Sequence, residues 1–407
     1  METYLVGGAV RDRLLERPVV ERDYVVVGAT PDDMLRLGYQ QVGKDFPVFL
    51  HPQTRAEHAL ARTGRKSAGA AATPVVHADP DVTLEQDLSR RDLTINALAE
   101  DAGGRVIDYF GGLQDLEERI LRHVSPAFAE DPVRILRVAR FMARYGLLGF
   151  RVADETLELM RAMVDQGRMN DLVPERVWQE LVRALGEPQP TRFFETLRAS
   201  GALAPILPEL DRLWGVPQPK RWHPEIDTGV HTMMVLEMAR SLSDDPAVVF
   251  AALIHDLGKG ETPAEILPSH HGHEERSVQL LEGVCRHLRI PNRFCELARL
   301  VARYHGKIHH AEELKASTVL KILQAADAFR RPQRLQGLLL AAEADYRGRK
   351  GFEQRPYPQA ERFRAWYQAA ATVDTAAVAN ACSRPELIGE AIHQARVAAI
   401  KRVGAAA

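Results

Sequence analysis

The sequence predicts an α+β fold, with strands confined to the first hundred-odd of its 407 residues and helices thereafter. Three observations predict it. Runs rich in β-branched or aromatic residues, Tyr24–Val27, Val48–Leu50 and Arg105–Tyr109, belong to the N-terminal portion. From Pro126 onward, apolar residues instead recur three and four apart, the period of a helix with one buried face. The chain is also too long for one ordinary domain, and its 45% hydrophobic content is ample for more than one core.

The elements follow in order. "YLVGGAVRDRLLERPVVERDYVVVG", Tyr4 to Gly28, runs from a strand-like stretch through a double glycine and a short helical pattern into a second strand. The Ala/Gly stretch Ser67–Ala78 reads as a low-complexity loop. "LWGVPQPKRWHPE", Leu213–Glu225, reads as a linker into a histidine-rich helical region that extends to about Arg330. A last helical segment ends in an alanine-rich tail. The expected divisions are 1–122, 123–222, 223–330 and 331–407.

Composition narrows the setting. No apolar stretch is long enough to cross a bilayer, and Met1 leads directly into structured-looking sequence, so neither a membrane partner nor a signal peptide is expected. Cys285, Cys295 and Cys382 lack CxxC spacing and are not expected to form a disulfide framework, which points to a reducing cytoplasm. The formal net charge of −2 requires any nucleic-acid site to be a local patch. Monomer and homodimer both stay open.

Gly7-Gly8 ahead of a helix lets backbone N–H groups approach an anion, and Arg11, one turn on, adds a charged donor. Glu21 and Asp23, two apart at the start of a strand, point the same way and suit magnesium held against substrate phosphates. A lone GG is more often a turn and a lone ExD a solvated edge; it is their closeness that favours chemistry. In "LEQDLSRRDLTINALAED", Leu84, Leu88, Ile95 and Leu98 mark the buried side of a helical region, while Arg91, Asp92 and Asn96 could meet a triphosphate and a ribose hydroxyl. In "EDPVRILRVARFMARYG", Asp131-Pro132 reads as a helix start with Asp at the N-cap. Arg134, Arg137, Arg140 and Arg144 fall along one side of that helix. An amphipathic surface helix explains its apolar half but not the arginine row, which wants an anionic partner. A carboxylate at Asp131 beside a guanidinium at Arg134 matches the amine and ring nitrogen that cytosine and adenine present together, so the pair could admit CTP and ATP and refuse UTP and GTP.

These stretches, "LVGGAVRD", "RDYVVVG", "RRDLTINALA" and "EDPVRILRVARF", resemble the successive motifs of the class II tRNA nucleotidyltransferases, the CCA-adding enzymes, over roughly the first 150 residues. The resemblance extends to the bacterial subgroup that carries an HD phosphohydrolase domain. It implies a nucleotidyltransferase head with a small mixed sheet, then helical neck and body, HD domain and tail. It implies attack of the tRNA 3′-hydroxyl on the α-phosphate of CTP or ATP without a nucleic-acid template. By position, Gly8 and Arg11 would hold phosphates and Glu21 and Asp23 two magnesium ions. Arg91, Arg137 and Arg140 would bind nucleotide, with Asp92 or Asn96 at the ribose and Asp131 and Arg134 at the base. Glu21 stands where the family has Asp, Gly64 where it usually has Glu, and the 67–78 loop is alanine-rich where relatives carry glycine and aromatics.

"DTGVHTMMVLEMA" and "FAALIHDLGKG" supply His231, His255 and Asp256, the H…HD part of an HD pattern whose donors suit a transition metal. A lone histidine on an apolar helix is usually structural; the adjacent His255-Asp256 favours a site. "ILQAADAFRR" makes Asp327 the expected trailing Asp, ahead of Asp345, and His270, His271, His273 and His305 are further ligand candidates. The likeness implies phosphatase and 2′,3′-cyclic phosphodiesterase activity, with magnesium, manganese, nickel and cobalt all open as the metal. In "EADYRGRKGFEQRPYP", Arg347, Arg349 and Lys350 among aromatics suit RNA phosphates or a solvated loop equally. Two other readings compete: a bacterial poly(A) polymerase, which shares the head motifs, and a non-catalytic RNA-binding protein with degenerate sites. The HD region and the lack of a long basic tail argue against the first, the retained acids against the second.

Overall fold

The computed structural model describes residues 1–42, 48–63 and 79–405, so Gly64 and the 67–78 loop lie outside the described residues. The chain forms two compact units: Met1–Leu172 with Ala199–Ala202, and Val173–Arg198 with everything from Leu203 onward.

The first unit is built on a seven-stranded mixed sheet. Its strands are β1 (Glu2–Val6), β2 (Asp23–Val27), β3 (Gln40–Val42), β4 (Val48–Leu50), β5 (Glu57–Leu60), β6 (Leu98–Glu100) and β7 (Val106–Asp108). They lie in the order β3-β4-β5-β2-β1-β6-β7, with β2 and β5 parallel and the other neighbours antiparallel. Because successive side chains alternate faces, Val25 joins a core with Val6, Leu88 and Ala99, while Val26 joins another with Met34, Phe49 and Leu60. The antiparallel register sets Val6 opposite Asp23. The glycine turn that leaves β1 and the acid that enters β2 therefore meet at one end of the sheet.

Residues 84–101 differ from the continuous helical region expected. Leu84–Ser89 is helix, capped by a reciprocal Thr83–Gln86 box; Thr94–Asn96 is a single 3-10 turn, and Leu98 already lies in β6. The three marker leucines and Ile95 are all buried, but β6 is drawn into strand by ladder bonds to β1 and β7 on both sides. Helix α1 (Gly8–Leu14) follows the turn, and α2 (Val133–Tyr145) carries the arginine row. Helix α2 starts one residue later than expected, yet Asp131 still serves its end: Oδ1 accepts from Val133 N at 3.2 Å.

Among its described residues the second unit is helical apart from an isolated bridge between Pro217 and Asp227. Helices α3 (Thr228–Leu242), α4 (Pro246–Leu253), α5 (His273–His287), α6 (Asn292–His309) and α7 (Pro332–Arg347) pack on one another. Two expectations need correction here. The 213–225 stretch, expected as a linker, is instead packed into the second unit, with Leu213, Gln218 and His223 buried. Cys285 and Cys295 are joined as a disulfide between α5 and α6, leaving Cys382 as the free thiol. No helix among the described residues is long and apolar enough to cross a membrane.

Candidate active sites

In the first unit, Asp23 opens β2 and Glu21 precedes the strand as an exposed residue. Burial raises the Asp23 pKa, the Glu21 charge raises it further, and Arg91 opposes both. A carboxylate whose charge is disfavoured by burial and an acidic neighbour suits a divalent cation. Gly7 holds a φ of 70°, which glycine adopts without strain, and a Cβ there would lie 2.9 Å from Arg91 Nη1. Arg91 also donates through Nη2 to Asp87 Oδ2 at 3.3 Å. Its guanidinium thus faces both the glycine turn and Asp23.

Arg11 borders the glycine turn, where a Cβ on Gly8 would stand 3.4 Å from its Nη2. It is buried, donates through Nε to Asp12 Oδ1 and through Nη1 to Asn96 Oδ1, and packs 5.2 Å from the centres of both the Phe141 and Tyr145 rings. A side chain one turn into α1 points back beneath the helix, so Arg11 braces the turn from within. Asp92 is likewise interior. Its Oδ2 accepts from Arg137 Nε at 2.7 Å, and its Oδ1 accepts from Leu93 N at 2.9 Å and Asn96 Nδ2 at 3.0 Å. Burial would raise the Asp92 pKa, but Arg137 and these hydrogen bonds hold it well below the ordinary range. Neither Asp92 nor Asn96 is turned outward for a ribose; they link Arg137 to Arg11.

The arginine row finds partners inside the protein. Arg137 meets Asp92, Arg140 is buried with its guanidinium 4.8 Å from the Phe141 ring centre, and Arg134 donates to Ala127 O at 2.8 Å and Arg90 O at 2.7 Å. Arg90 adjoins Arg91, so residues 90–92 link Arg134 on α2 to the segment that borders the glycine turn. The sequence reading missed Glu57. It is the parallel register partner of Asp23, and the next pair along, Tyr24 and His58, stacks at 4.6 Å on a shared side. Only strand pairing reveals this neighbour.

In the second unit, His231 on α3, His255 and Asp256 just after α4, His273 at the start of α5, His305 on α6 and Asp345 on α7 converge. His231 Nε2 lies 3.0 Å from Asp345 Oδ1, and His255 Nε2 lies 3.1 Å from Asp256 Oδ2 and 3.7 Å from Asp345 Oδ1. The close approach depends on Gly258, where a Cβ would collide with the backbone at His273 and Ser277. Burial disfavours charge on His255, yet Asp256 and Asp345 overcome it and push its pKa up to about 10. Buried cations also compensate the acids: Lys259 Nζ lies 2.5 Å from Asp256 Oδ2, and Arg349 Nη2 3.5 Å from Asp345 Oδ1. His255 Nε2, Asp256 Oδ1 and His273 Nε2 are buried without any hydrogen bond of acceptable geometry. Such donors fit a metal ion.

Asp327 is not part of this cluster, and the trailing-Asp assignment moves to Asp345. The helix Ala316–Ala325 ends just before Asp327, whose φ of 53° turns its carboxylate toward Arg330 Nε at 2.7 Å. His270 is occupied by Thr262 Oγ1 and Pro217 O, and His271 is exposed. Glu225 was overlooked because it sat in the presumed linker; its Oε1 is 3.0 Å from His231 Nδ1.

Three families match the chain in succession: the Poly A polymerase head domain over residues 3–122, the probable RNA and SrmB-binding site of polymerase A over 149–213, and the HD domain over 228–331. A multifunctional CCA protein of Thioalkalivibrio sulfidiphilus is 63% identical over 405 residues, covering 100% of this chain and 99% of its own length. Its counterpart in Nitrosococcus oceani is 61% identical, covering 99% and 98%. The chain belongs to the multifunctional CCA protein family. It is a CCA-adding nucleotidyltransferase that carries an HD domain. The fold agrees with solved CCA-adding enzymes. A complex with CTP aligns at a TM-score of 0.63 with 21% identity, covering 99% of this chain and 87% of that one. The Thermotoga maritima enzyme with tRNA_CCA aligns at 0.63 with 19% identity, covering 100% and 91%. For this CCA protein the HD match ends at residue 331, so Asp345 lies beyond it.

Proposed function

We propose that the chain builds and repairs the 3′-terminal CCA of tRNA from CTP and ATP, the tRNA 3′-hydroxyl attacking the α-phosphate and pyrophosphate leaving. The convergence of the Gly7 turn, Arg91 and the Glu21/Asp23 carboxylates at one end of the sheet carries this reading. Gly8 backbone and the Arg91 guanidinium hold the triphosphate. Glu21 and Asp23 would hold two magnesium ions, which would supply charge stabilisation for the attacking and leaving oxygens. Arg137 and Arg140 bind the nucleotide, with Asp92 and Asn96 fixing Arg137 and Arg11 in place. Arg134 commits two of its N–H groups to carbonyls. This holds the rest of its guanidinium, with Asp131, to the face that cytosine and adenine share.

In the HD region, His231, His255, Asp256 and Asp345 hold a divalent ion such as nickel, manganese, cobalt or magnesium. A bound ion there supplies an acidified water for phosphatase and 2′,3′-cyclic phosphodiesterase chemistry on RNA ends. The functional partition is 1–122 head, 123–222 neck and body, 223–330 HD domain, with Asp345 contributed from 331–407. The protein works in the cytoplasm on tRNA, without a membrane, as a monomer or homodimer. The test supplies tRNA ending at the discriminator base with labelled CTP and ATP. Addition that stops at CCA supports the reading; long adenylate tails, or RNA binding without incorporation, would overturn it.

A further inference from the structure

Two loops of the second unit, the stretch ahead of α3 and the turn after α7, meet in a rim beside the HD cluster. Glu225 joins them. Its Oε1 lies 3.0 Å from His231 Nδ1 near the start of α3, while its Oε2 accepts from Lys350 N at 3.3 Å on the other loop. The backbone is held to this course at Ile226, whose φ of 65° a β-branched residue adopts only at a cost. Gly348 lets the end of α7 press on α3, since a Cβ there would lie 2.6 Å from Val235 Cα.

What the rim exposes is aromatic and cationic. Trp222 leaves 53% of its surface in solvent, next to buried His223, whose ring packs 4.6 Å from that of His231. Arg221 Cζ stands 4.7 Å from the Trp222 ring centre, and Arg355 Cζ 3.6 Å from that of Phe352. Lys220, Arg221, Lys350 and Arg355 are exposed, and among the described residues none of them pairs with a carboxylate. The neighbouring cations do: Arg347 meets Glu343 at 2.8 Å and Arg349 meets Asp345 at 3.5 Å. Glu353, the acid on the same loop, turns back to accept from Gly351 N at 3.0 Å. An exposed indole gains by stacking on a flat ring, and cations without acids gain from anions. A single-stranded RNA end offers both, its bases alternating with phosphates. Free phosphate would leave the indole uncovered.

We propose that this rim is the substrate platform of the HD centre. The 3′-terminal base of an RNA stacks on Trp222 while its phosphates lie along Lys220, Arg221, Lys350 and Arg355, which directs the terminal phosphate to the cluster beside His223 and Glu225. Stacking reads the face of a base and not its edge, so all four 3′-terminal nucleotides are accepted. The proposal rests on the hydrolytic reading of the HD region above, and the test tells the two apart.

The full-length chain is assayed with manganese on a short RNA ending in a 2′,3′-cyclic phosphate and on ethylene cyclic phosphate, which has the same ring and no base. Trp222→Ala should lower kcat/KM for the RNA about tenfold relative to ethylene cyclic phosphate, chiefly through KM, and Trp222→Phe should recover most of it. Lys350→Ala should flatten the dependence of log kcat/KM for the RNA on log salt by about 0.7, the share of one phosphate contact on a single strand. Circular dichroism confirms the fold of each variant. A Trp222→Ala chain that loses both substrates equally, or neither, would overturn the platform and leave the HD reading standing. Failure of the unaltered chain to hydrolyse either substrate would overturn the HD reading and the platform with it.

Discussion

Asp345 has the most to say at the scale of single residues. It sits beyond the HD family match, yet it meets His231, His255, His309 and Arg349. Asp327, favoured by sequence, meets arginines on its own turn instead. The consequence is testable. Asp345→Asn should reduce HD-dependent hydrolysis of a 2′,3′-cyclic phosphate by about 10²-fold or more, on the scale seen when one catalytic electrostatic group is lost. Asp327→Asn should leave that rate within about twofold, because its partners are exposed and surface pairs contribute little. The reverse ranking in a steady-state assay would restore Asp327. In the head, Arg11 and Arg91 both border the glycine turn, Arg11 from the interior beside Gly8 and Arg91 beside Gly7.

Elements hold these residues in register. The 3-10 turn after His255-Asp256 packs against α5 only because Gly258 has no side chain. Gly258→Ala should destabilise the HD region by about 1–3 kcal/mol through overpacking and displace His273. Calorimetry should show a lowered HD transition, with hydrolysis falling further than CCA addition; an unchanged transition would mean the backbone yields at little cost. In the head, Asp92 joins the 90–92 segment to α2. Its folded pKa is depressed, so the stability it contributes is present above its unfolded value of about 3.9 and is lost as pH falls below it. Asp92→Asn should therefore flatten the acid side of the head's stability-versus-pH curve. It should also raise the KM for CTP about tenfold, near 1.4 kcal/mol, by releasing Arg137. A steep acid limb that persists in the variant would show that other carboxylates set it.

For the whole molecule, the nucleotidyl-transfer residues and the residues of the proposed HD hydrolysis lie in two different units, so the two activities should separate. Asp23→Ala should abolish nucleotide incorporation while the HD centre keeps hydrolysing. Loss of both in a folded variant would show that the centres are coupled. What was legible beforehand follows from how far each signal travels along the chain. Strands β1, β2, β4 and β7, the buried face of α2 and the His255-Asp256 pair are local patterns, and all were readable. Strand β5, and with it Glu57 beside Asp23, depends on pairing across the sheet. Asp345 reaches the HD cluster through helix packing and Glu225 through the turn ahead of α3, and Leu98 lies in a strand because its neighbours are strands. Residue type and short spacing mark the candidate residues, while tertiary structure determines which acids and arginines lie beside one another.

The central claim is that an acidic pair beside Arg91 works with Asp131 and Arg134, which judge each nucleotide by its hydrogen-bonding face. Competition between labelled CTP and UTP for the 3′ end of a tRNA lacking CCA measures it directly. The account predicts at least about tenfold preference for CTP, the cost of one mispaired hydrogen-bonding face. It also predicts that Arg134→Ala narrows the preference by raising UTP use relative to CTP. Equal incorporation of UTP and CTP by the unaltered chain would contradict it.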